Sequence, residues 1–143
     1  MAEQNIEARY ATGELPRLIN ILYIEDNRMN ADLMVRRLRR KNMVVLTSET
    51  GREGIESAMR HQPDLILLDF NLPDINGLEV MKRLRKFEDT ANIPIVMVTS
   101  TTDTAIRHQA YDLGCRGYLL KPIITVELIM MIERVMSKSG AAV

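Results

Sequence analysis

The fold is decided by Asp64-Leu65-Ile66-Leu67-Leu68-Asp69, a continuous apolar run that begins and ends in a carboxylate. A second apolar run, Ile19-Asn20-Ile21-Leu22-Tyr23-Ile24, is followed directly by Glu25 and Asp26. Such runs, without regular polar alternation, are typical of strands buried on both faces of a parallel sheet. Open α/β sheets build their sites beyond the carboxyl ends of their strands, so we expect these carboxylates to share one pocket.

Five apolar runs alternate with five helical patterns along the chain. Strict alternation of this kind predicts a parallel sheet with right-handed crossovers and helices on both faces. Asp103 is placed to cap the fourth helix, and Gly114 is placed to end it. The predicted strands are about Ile19–Ile24, Met43–Thr47, Asp64–Asp69, Ile93–Thr99 and Arg116–Leu120, and the predicted helices are about Arg28–Lys41, Gly51–His61, Gly77–Phe87, Thr104–Leu113 and Thr125–Ser137.

Length and composition predict one domain that binds neither nucleic acid nor membranes. The chain has 143 residues, of which 19 are basic and 19 are acidic, for a formal net charge of zero. This balance gives no reason to expect direct binding of nucleic acid or of an anionic membrane. A signal peptide and a membrane span are both lacking, and the single cysteine, Cys115, allows no intramolecular disulfide. We therefore predict a cytoplasmic protein with an N-terminal extension (1–17), one folded domain (18–137) and a C-terminal tail (138–143).

Carboxylates, a hydroxyl and an ammonium group lie at the ends of four predicted strands. Asp69 can act as a nucleophile that forms an acyl phosphate. Glu25 and Asp26 would hold a cation beside it, since like charges at close range are costly without one. Oxygen ligands without a Cys or His cluster favour a hard ion, Mg²⁺ above all. Thr99 and Lys121 would add a hydroxyl and a positive charge at the same edge, so the pattern predicts chemistry on phosphate.

Four motifs carry these residues, in a fixed order along the chain. They are Tyr23-Ile24-Glu25-Asp26-Asn27, Leu67-Leu68-Asp69-Phe70-Asn71-Leu72-Pro73-Asp74-Ile75-Asn76-Gly77, Pro94-Ile95-Val96-Met97-Val98-Thr99-Ser100 and Gly117-Tyr118-Leu119-Leu120-Lys121-Pro122. With this combination the chain resembles the receiver domain of bacterial two-component response regulators, over roughly Leu18 to Ser137. The resemblance implies an α/β, flavodoxin-like, doubly wound (βα)5 fold with a five-stranded parallel sheet in the order 2-1-3-4-5.

The resemblance also implies how the acidic residues work. Asp69 is expected to be the phosphoacceptor. Mg²⁺ is the expected cofactor, held by Glu25, Asp26, Asp69 and the backbone carbonyl of Asn71. Asp26 would bind the ion directly and Glu25 through water.

Three further residues are expected to act once the phosphoryl group is present. Thr99 and Lys121 would each bind a phosphoryl oxygen, so Lys121 would have little to hold before the phosphoryl group arrives. Tyr118 resembles the aromatic switch residue, which swings inward as Thr99 moves toward the phosphate. The Lys121–Pro122 peptide bond is expected to be cis.

The expected function is a phosphorylation switch rather than an enzyme, since the domain would catalyse only its own phosphotransfer and dephosphorylation. A histidine kinase or a histidine phosphotransfer protein would supply the phosphoryl group from a phosphohistidine. Because no output domain follows the fifth helix, we expect a stand-alone receiver that switches protein–protein interactions. A downstream target would bind the face made by the fourth helix, fifth strand and fifth helix, with Tyr111 and Met130 as candidate contacts. A phosphorelay intermediate or a phosphate sink stays open as an alternative to a terminal output switch.

Other functions fit these residues less well. A haloacid-dehalogenase-type phosphatase needs a second carboxylate two residues after the nucleophile, where this chain has Asn71. A nucleotide or flavin site needs a loop rich in glycine or hydroxyl groups after the first strand, where Glu25-Asp26-Asn27 would repel phosphate. The basic run from Arg36 to Lys41 is most simply a solvated face, although it is the alternative interface. Tyr118 could also merely pack in the core.

Overall fold

The structure of the chain is a computed structural model that describes residues 8–9, 12–13, 17–39 and 42–138. Most residues of the predicted N-terminal extension (1–17) and C-terminal tail (138–143) lie outside the described residues, so these boundaries stay predictions. The strands are β1 (Ile19–Ile24), β2 (Met43–Ser48), β3 (Leu65–Leu68), β4 (Ile95–Thr99) and β5 (Gly117–Leu120), and the helices are α1 (Arg28–Leu38), α2 (Gly51–His61), α3 (Gly77–Lys86), α4 (Thr104–Asp112) and α5 (Thr125–Lys138).

The five strands form one sheet in the order β2-β1-β3-β4-β5, and every neighbouring pair is parallel. The predicted doubly wound α/β fold is therefore confirmed. The last residue of β1, Ile24, lies opposite Ser48 of β2 and Leu68 of β3. Because these strands end level with one another, the residues that follow β1 and β3 start side by side at one edge of the sheet.

Two apolar clusters cover the two faces of the sheet, which explains why the central strands are apolar at almost every position. Alternate strand residues point to opposite faces. Ile24 and Leu68 belong to the cluster that α2, α3 and α4 cover. Tyr23 and Leu67 belong to the cluster that α1 and α5 cover. A strand that is buried on both faces has no position at which a polar side chain would reach water.

Several elements are shorter than predicted, and Asp64 shows why. Its carboxylate accepts hydrogen bonds from the side chain of Arg17 and from the backbone N–H of Asn20, both at 2.8 Å. Asp64 thus ties β3 to the start of β1 rather than extending the strand. At the other end of the sheet, the predicted cap is confirmed, since Asp103 accepts from the amides of Ala105 and Ile106. Gly114 has a positive φ of 90°, as a residue that ends a helix requires.

A single arginine side chain fastens α3 to the segment between α4 and β5. The Arg85 guanidinium donates to the carbonyls of Ala91 and Ile93, each at 2.9 Å, and to that of Leu113 at 3.2 Å. These carbonyls lie in loops, outside the regular hydrogen bonding of helices and sheets, and Arg85 supplies donors to them. Burial, followed by the charge of Arg116, lowers the pKa of Arg85 from its ordinary value.

Gly77, the first residue of α3, allows the helix to lie against the backbone that follows β3. A Cβ at this position would lie 2.6 Å from the carbonyl oxygen of Asp69 and 2.9 Å from the Cα of Phe70. We expect Gly77→Ala to lower the free energy of unfolding by about 1–3 kcal/mol, because backbone atoms must move to make room. Urea denaturation followed by circular dichroism measures this loss.

Gly117→Ala is the matched control for this substitution. Its Cβ would meet only the side chain of Met131, with the sulfur at 2.4 Å, and a flexible thioether can move aside. The loss should therefore be smaller than for Gly77→Ala. Equal losses would show that the backbone contact of Gly77 does not set the cost.

Candidate functional site

Three carboxylates meet at the edge of the sheet where β1 and β3 end. Glu25 and Asp26 follow β1, and Asp69 follows β3, so the parallel pairing of these strands places them together. Each offers an oxygen, and the three oxygens all lie within 4.8 Å of one another. Glu25 and Asp69 are buried, at 1% and 4% exposure, whereas Asp26 is exposed. A cluster made only of carboxylate oxygens, with one member open to solvent, is compatible with Mg²⁺.

The ammonium group of Lys121 bridges the two buried carboxylates. Its Nζ donates to Asp69 Oδ2 at 2.7 Å and also to Glu25 Oε1. Burial alone would lower the pKa of Lys121, but the hydrogen bonds and charges of Asp69 and Glu25 outweigh burial and raise this pKa. The expectation that Lys121 has little to hold before a phosphoryl group arrives is therefore wrong. The Lys121–Pro122 peptide bond is cis, as predicted.

Glu25 is held in place by donors on both of its oxygens. Oε1 accepts from the Tyr23 hydroxyl and from the Asn30 side-chain amide, each at 3.1 Å, and Oε2 accepts from the Asn27 N–H at 3.3 Å. Burial, followed by the nearby charge of Glu25, raises the pKa of Tyr23 well above its ordinary value. Sequence reasoning missed Tyr23 as a site residue. The sequence did indicate a contact between Tyr23 and Glu25, because residues two apart along a strand point to the same face.

Thr99 and Asn71 lie beside this cluster and have partners of their own. Thr99 ends β4 and is fully buried, and its hydroxyl accepts from the N–H of Thr101 at 3.4 Å. The N–H of Asn71 donates to Asp69 Oδ1 at 3.3 Å. Within the described part of the chain, no hydrogen bond joins Thr99 to the carboxylates. The structure thus places Thr99 at the predicted edge of the sheet, where no hydrogen bond among the described residues joins it to Asp69.

Tyr118, on β5, is buried. Its side chain has 8% exposure, and its hydroxyl donates to the backbone carbonyl of Thr101 at 3.1 Å. The guanidinium carbon of Arg107, on α4, lies 5.3 Å from the centre of the Tyr118 ring. Burial raises the pKa of Tyr118, and the positive charge of Arg107 acts in the opposite direction. Sequence reasoning did not identify Arg107 or Thr101, because neither residue lies in a recognisable motif position.

The two surfaces suggested for partners differ in how open they are. Tyr111 on α4 and Met130 on α5 are exposed, at 44% and 65%. In the basic run of α1, Arg36 is exposed, but Arg37 donates to the backbone carbonyl of Ile123 at 2.6 Å. Arg37 therefore serves the contact between α1 and the segment before α5, so the run is not simply a solvated face. Arg40 and Lys41 lie outside the described residues.

Removing the charge of Lys121 should leave two buried carboxylates without their cation. We expect Lys121→Met to lower the free energy of unfolding by about 3 kcal/mol, as when one partner of a buried ion pair is removed. Added Mg²⁺ should restore more stability in this variant than in the parent protein, since an ion that binds the folded state stabilises it. Urea denaturation with and without Mg²⁺ measures both effects.

Lys82→Met, at an exposed lysine of α3, is the control for this change. It should alter stability by less than about 0.5 kcal/mol with or without Mg²⁺. If Lys121→Met unfolds no more easily than Lys82→Met, the ammonium group does not hold the carboxylates together.

Comparison with known proteins agrees with the fold. The family model for the response regulator receiver domain matches residues 21–133. The response regulator ArlR of Staphylococcus aureus is 33% identical over 121 residues, which is 85% of this chain and 54% of ArlR. The chain thus spans about half the length of this curated relative. No helix among the described residues is long and apolar enough to cross a membrane.

Solved structures with the same fold include two receiver proteins. Chemotaxis protein CheY4 of Vibrio cholerae is 26% identical with a TM-score of 0.78, and the match covers 82% of this chain and 98% of CheY4. A CheY-like receiver domain protein of Methanospirillum hungatei has a TM-score of 0.81 at 23% identity, over 86% of this chain and 97% of the other. The chain therefore belongs to the response regulator receiver domain family, the signalling switches of two-component systems.

Proposed function

We propose that this receiver domain accepts a phosphoryl group on Asp69 from a phosphohistidine and thereby switches its binding to other proteins. The observation that carries this proposal is the buried Asp69 carboxylate, bridged by Lys121 to Glu25 and adjoining the exposed Asp26. A carboxylate oxygen of Asp69 would attack phosphorus. The bond from phosphorus to the imidazole nitrogen would break, and its electron pair would stay on that nitrogen.

The acidic residues divide into two roles in this proposal. Asp26 is exposed and is the best placed to bind Mg²⁺ directly. Both oxygens of Glu25 already accept hydrogen bonds from the protein, which supports contact through water. The backbone carbonyl of Asn71 would complete the protein ligands. When bound, the ion would screen the negative charges of the carboxylate and the incoming phosphoryl group.

Lys121 and Thr99 would hold the phosphoryl oxygens after transfer. Lys121 already contacts the acceptor carboxylate, so its ammonium group needs to move little. Among the described residues, the one hydrogen bond that the Thr99 hydroxyl accepts is long, at 3.4 Å from the N–H of Thr101. A phosphoryl oxygen would offer this hydroxyl a strong acceptor.

Thr101 is the link from the acceptor site to the proposed partner face. Its N–H meets the hydroxyl of Thr99, and its carbonyl accepts from Tyr118. A movement of Thr99 toward Asp69 would therefore shift Thr101 and with it the carbonyl to which Tyr118 donates. Phosphorylation would shift an equilibrium between two arrangements of this loop, and a partner that binds one arrangement would shift it further.

The proposed partners are of two kinds. A histidine kinase or a histidine phosphotransfer protein would donate the phosphoryl group, and a downstream protein would bind the face of α4, β5 and α5 with Tyr111 and Met130 as contacts. The domain would act in the cytoplasm and would bind neither nucleic acid nor a membrane directly. That the receiver acts as a stand-alone protein stays a prediction. Whether it is a terminal output switch, or instead a phosphorelay intermediate or a phosphate sink, stays open. The domain would catalyse only its own phosphotransfer and dephosphorylation.

Asp69→Asn tests the acceptor. Incubation with phosphoramidate should add one phosphoryl group to the parent chain and none to the variant, because an amide is not a nucleophile for this reaction. Intact-mass spectrometry measures the addition. Asp64→Asn, at the opposite end of β3, is the control and should be labelled like the parent. Full labelling of Asp69→Asn would exclude Asp69 as the acceptor.

Asp26→Ala tests the metal ligand. Mg²⁺ affinity, measured by NMR titration, should fall at least about tenfold, since removal of even indirect metal partners has effects of this size. Labelling by phosphoramidate should fall in parallel. Asp32→Ala, at an exposed carboxylate of α1, should change neither quantity. Phosphorylation that proceeds equally well in excess chelator would show that the acidic cluster does not act through a cation.

A further inference from the structure

Arg107 lies between two tyrosine rings on the proposed partner face. Its guanidinium carbon is 5.3 Å from the centre of the Tyr118 ring and 5.9 Å from that of Tyr111. Tyr111 is four residues further along α4, so its side chain shares a helix face with Arg107. Tyr118 reaches the same guanidinium from β5. One exposed cation thus joins the exposed face of α4 to a buried aromatic ring.

The Tyr118 ring is held at two points, both in the segment that begins α4. Its hydroxyl donates to the carbonyl of Thr101, just before the helix. Its ring meets Arg107, in the first turn of the helix, whose N–H donates to the carbonyl of the capping residue Asp103. For the ring to turn toward solvent, it must leave both partners. The second of these is a charge–ring attraction that does not depend on any phosphoryl group.

We propose that Arg107 is a positioning residue that holds Tyr118 in its buried orientation, so that this orientation is populated before Asp69 is phosphorylated. The inference rests on the proposed function in one respect, the assignment of Tyr118 as the switch residue. Attraction between an exposed cation and a ring corresponds to about a two- to fivefold change in the ratio of buried to exposed ring. Arg107 would thereby determine how far phosphorylation still has to shift the population of Tyr118 toward the buried orientation.

The effect of Arg107 on the pKa of Tyr118 agrees with this geometry. A cation close to the ring favours the phenolate, and the charge of Arg107 opposes the rise in pKa that burial causes. The competing interpretation is that Arg107 merely pairs with Tyr111 along α4. In that case the loss of Arg107 would alter the environment of Tyr111 and leave that of Tyr118 unchanged.

The test uses the whole unphosphorylated chain labelled with 3-fluorotyrosine and observed by ¹⁹F NMR. Tyr118→Phe and Tyr111→Phe identify the two resonances. Arg107→Gln should move the Tyr118 resonance toward the solvent-exposed position, by a two- to fivefold change in population, and should increase its solvent isotope shift. Arg107→Lys keeps the charge, so its Tyr118 resonance should lie between those of the parent and of Arg107→Gln. An unchanged Tyr118 resonance in Arg107→Gln would overturn the proposal.

Arg60→Gln, at an exposed arginine of α2, is the matched control and should leave both resonances in place. A second measurement then adds phosphoramidate. Arg107→Gln should still be labelled at Asp69, since no hydrogen bond among the described residues joins Arg107 to Asp69, but its Tyr118 resonance should move further on labelling than in the parent.

The two proposals can fail separately. If neither protein is labelled at Asp69, the proposed function fails, while the spectra without phosphate still decide whether Arg107 holds Tyr118. If both are labelled and their Tyr118 resonances move by the same amount, Arg107 does not set the switch and the further inference fails alone.

Discussion

The rest of the site depends on one constraint, the burial of two carboxylates beside a single ammonium group. Glu25 and Asp69 would repel each other at the edge of the sheet if Lys121 did not donate to both. Buried charges are tolerated only when they are paired and hydrogen-bonded, and here every oxygen that is buried has a donor. The same arrangement that makes the folded state possible also leaves the Asp69 carboxylate beside a cation, as the proposed acceptor role requires.

The strand ends at the site are held by the core, whereas the loop after β4 has fewer contacts. Asp69 and Thr99 follow or end strands that are buried on both faces, so their backbones are fixed by the core on either side. Thr101 lies in the loop after β4 and is tied to the site by one long hydrogen bond and to β5 by another. A segment held by two modest contacts can change its arrangement at small cost, whereas a strand end cannot.

Side chains outside the acidic cluster and Lys121 also hold the site in place. Tyr23 and Asn30 bring two further donors to Glu25, and Arg107 covers a ring that is already buried. These contacts act in the same direction, because each restricts the orientation of a side chain that the proposed function uses. The domain is thus organised around its site before any ligand or phosphoryl group is considered.

Sequence alone determined the fold class, the order of the elements and the carboxylates of the site. Alternating apolar and helical patterns suffice for a parallel sheet, and a parallel sheet places the residues after its strands at one edge. The tertiary structure decided which side chains meet there. Lys121 and Glu25 are 96 residues apart, and their contact depends on strand order and on the packing of the loop after β5. The same holds for Arg107 on Tyr118 and for Arg85 on the carbonyl of Leu113, because long side chains take their partners from the whole fold and not from local spacing.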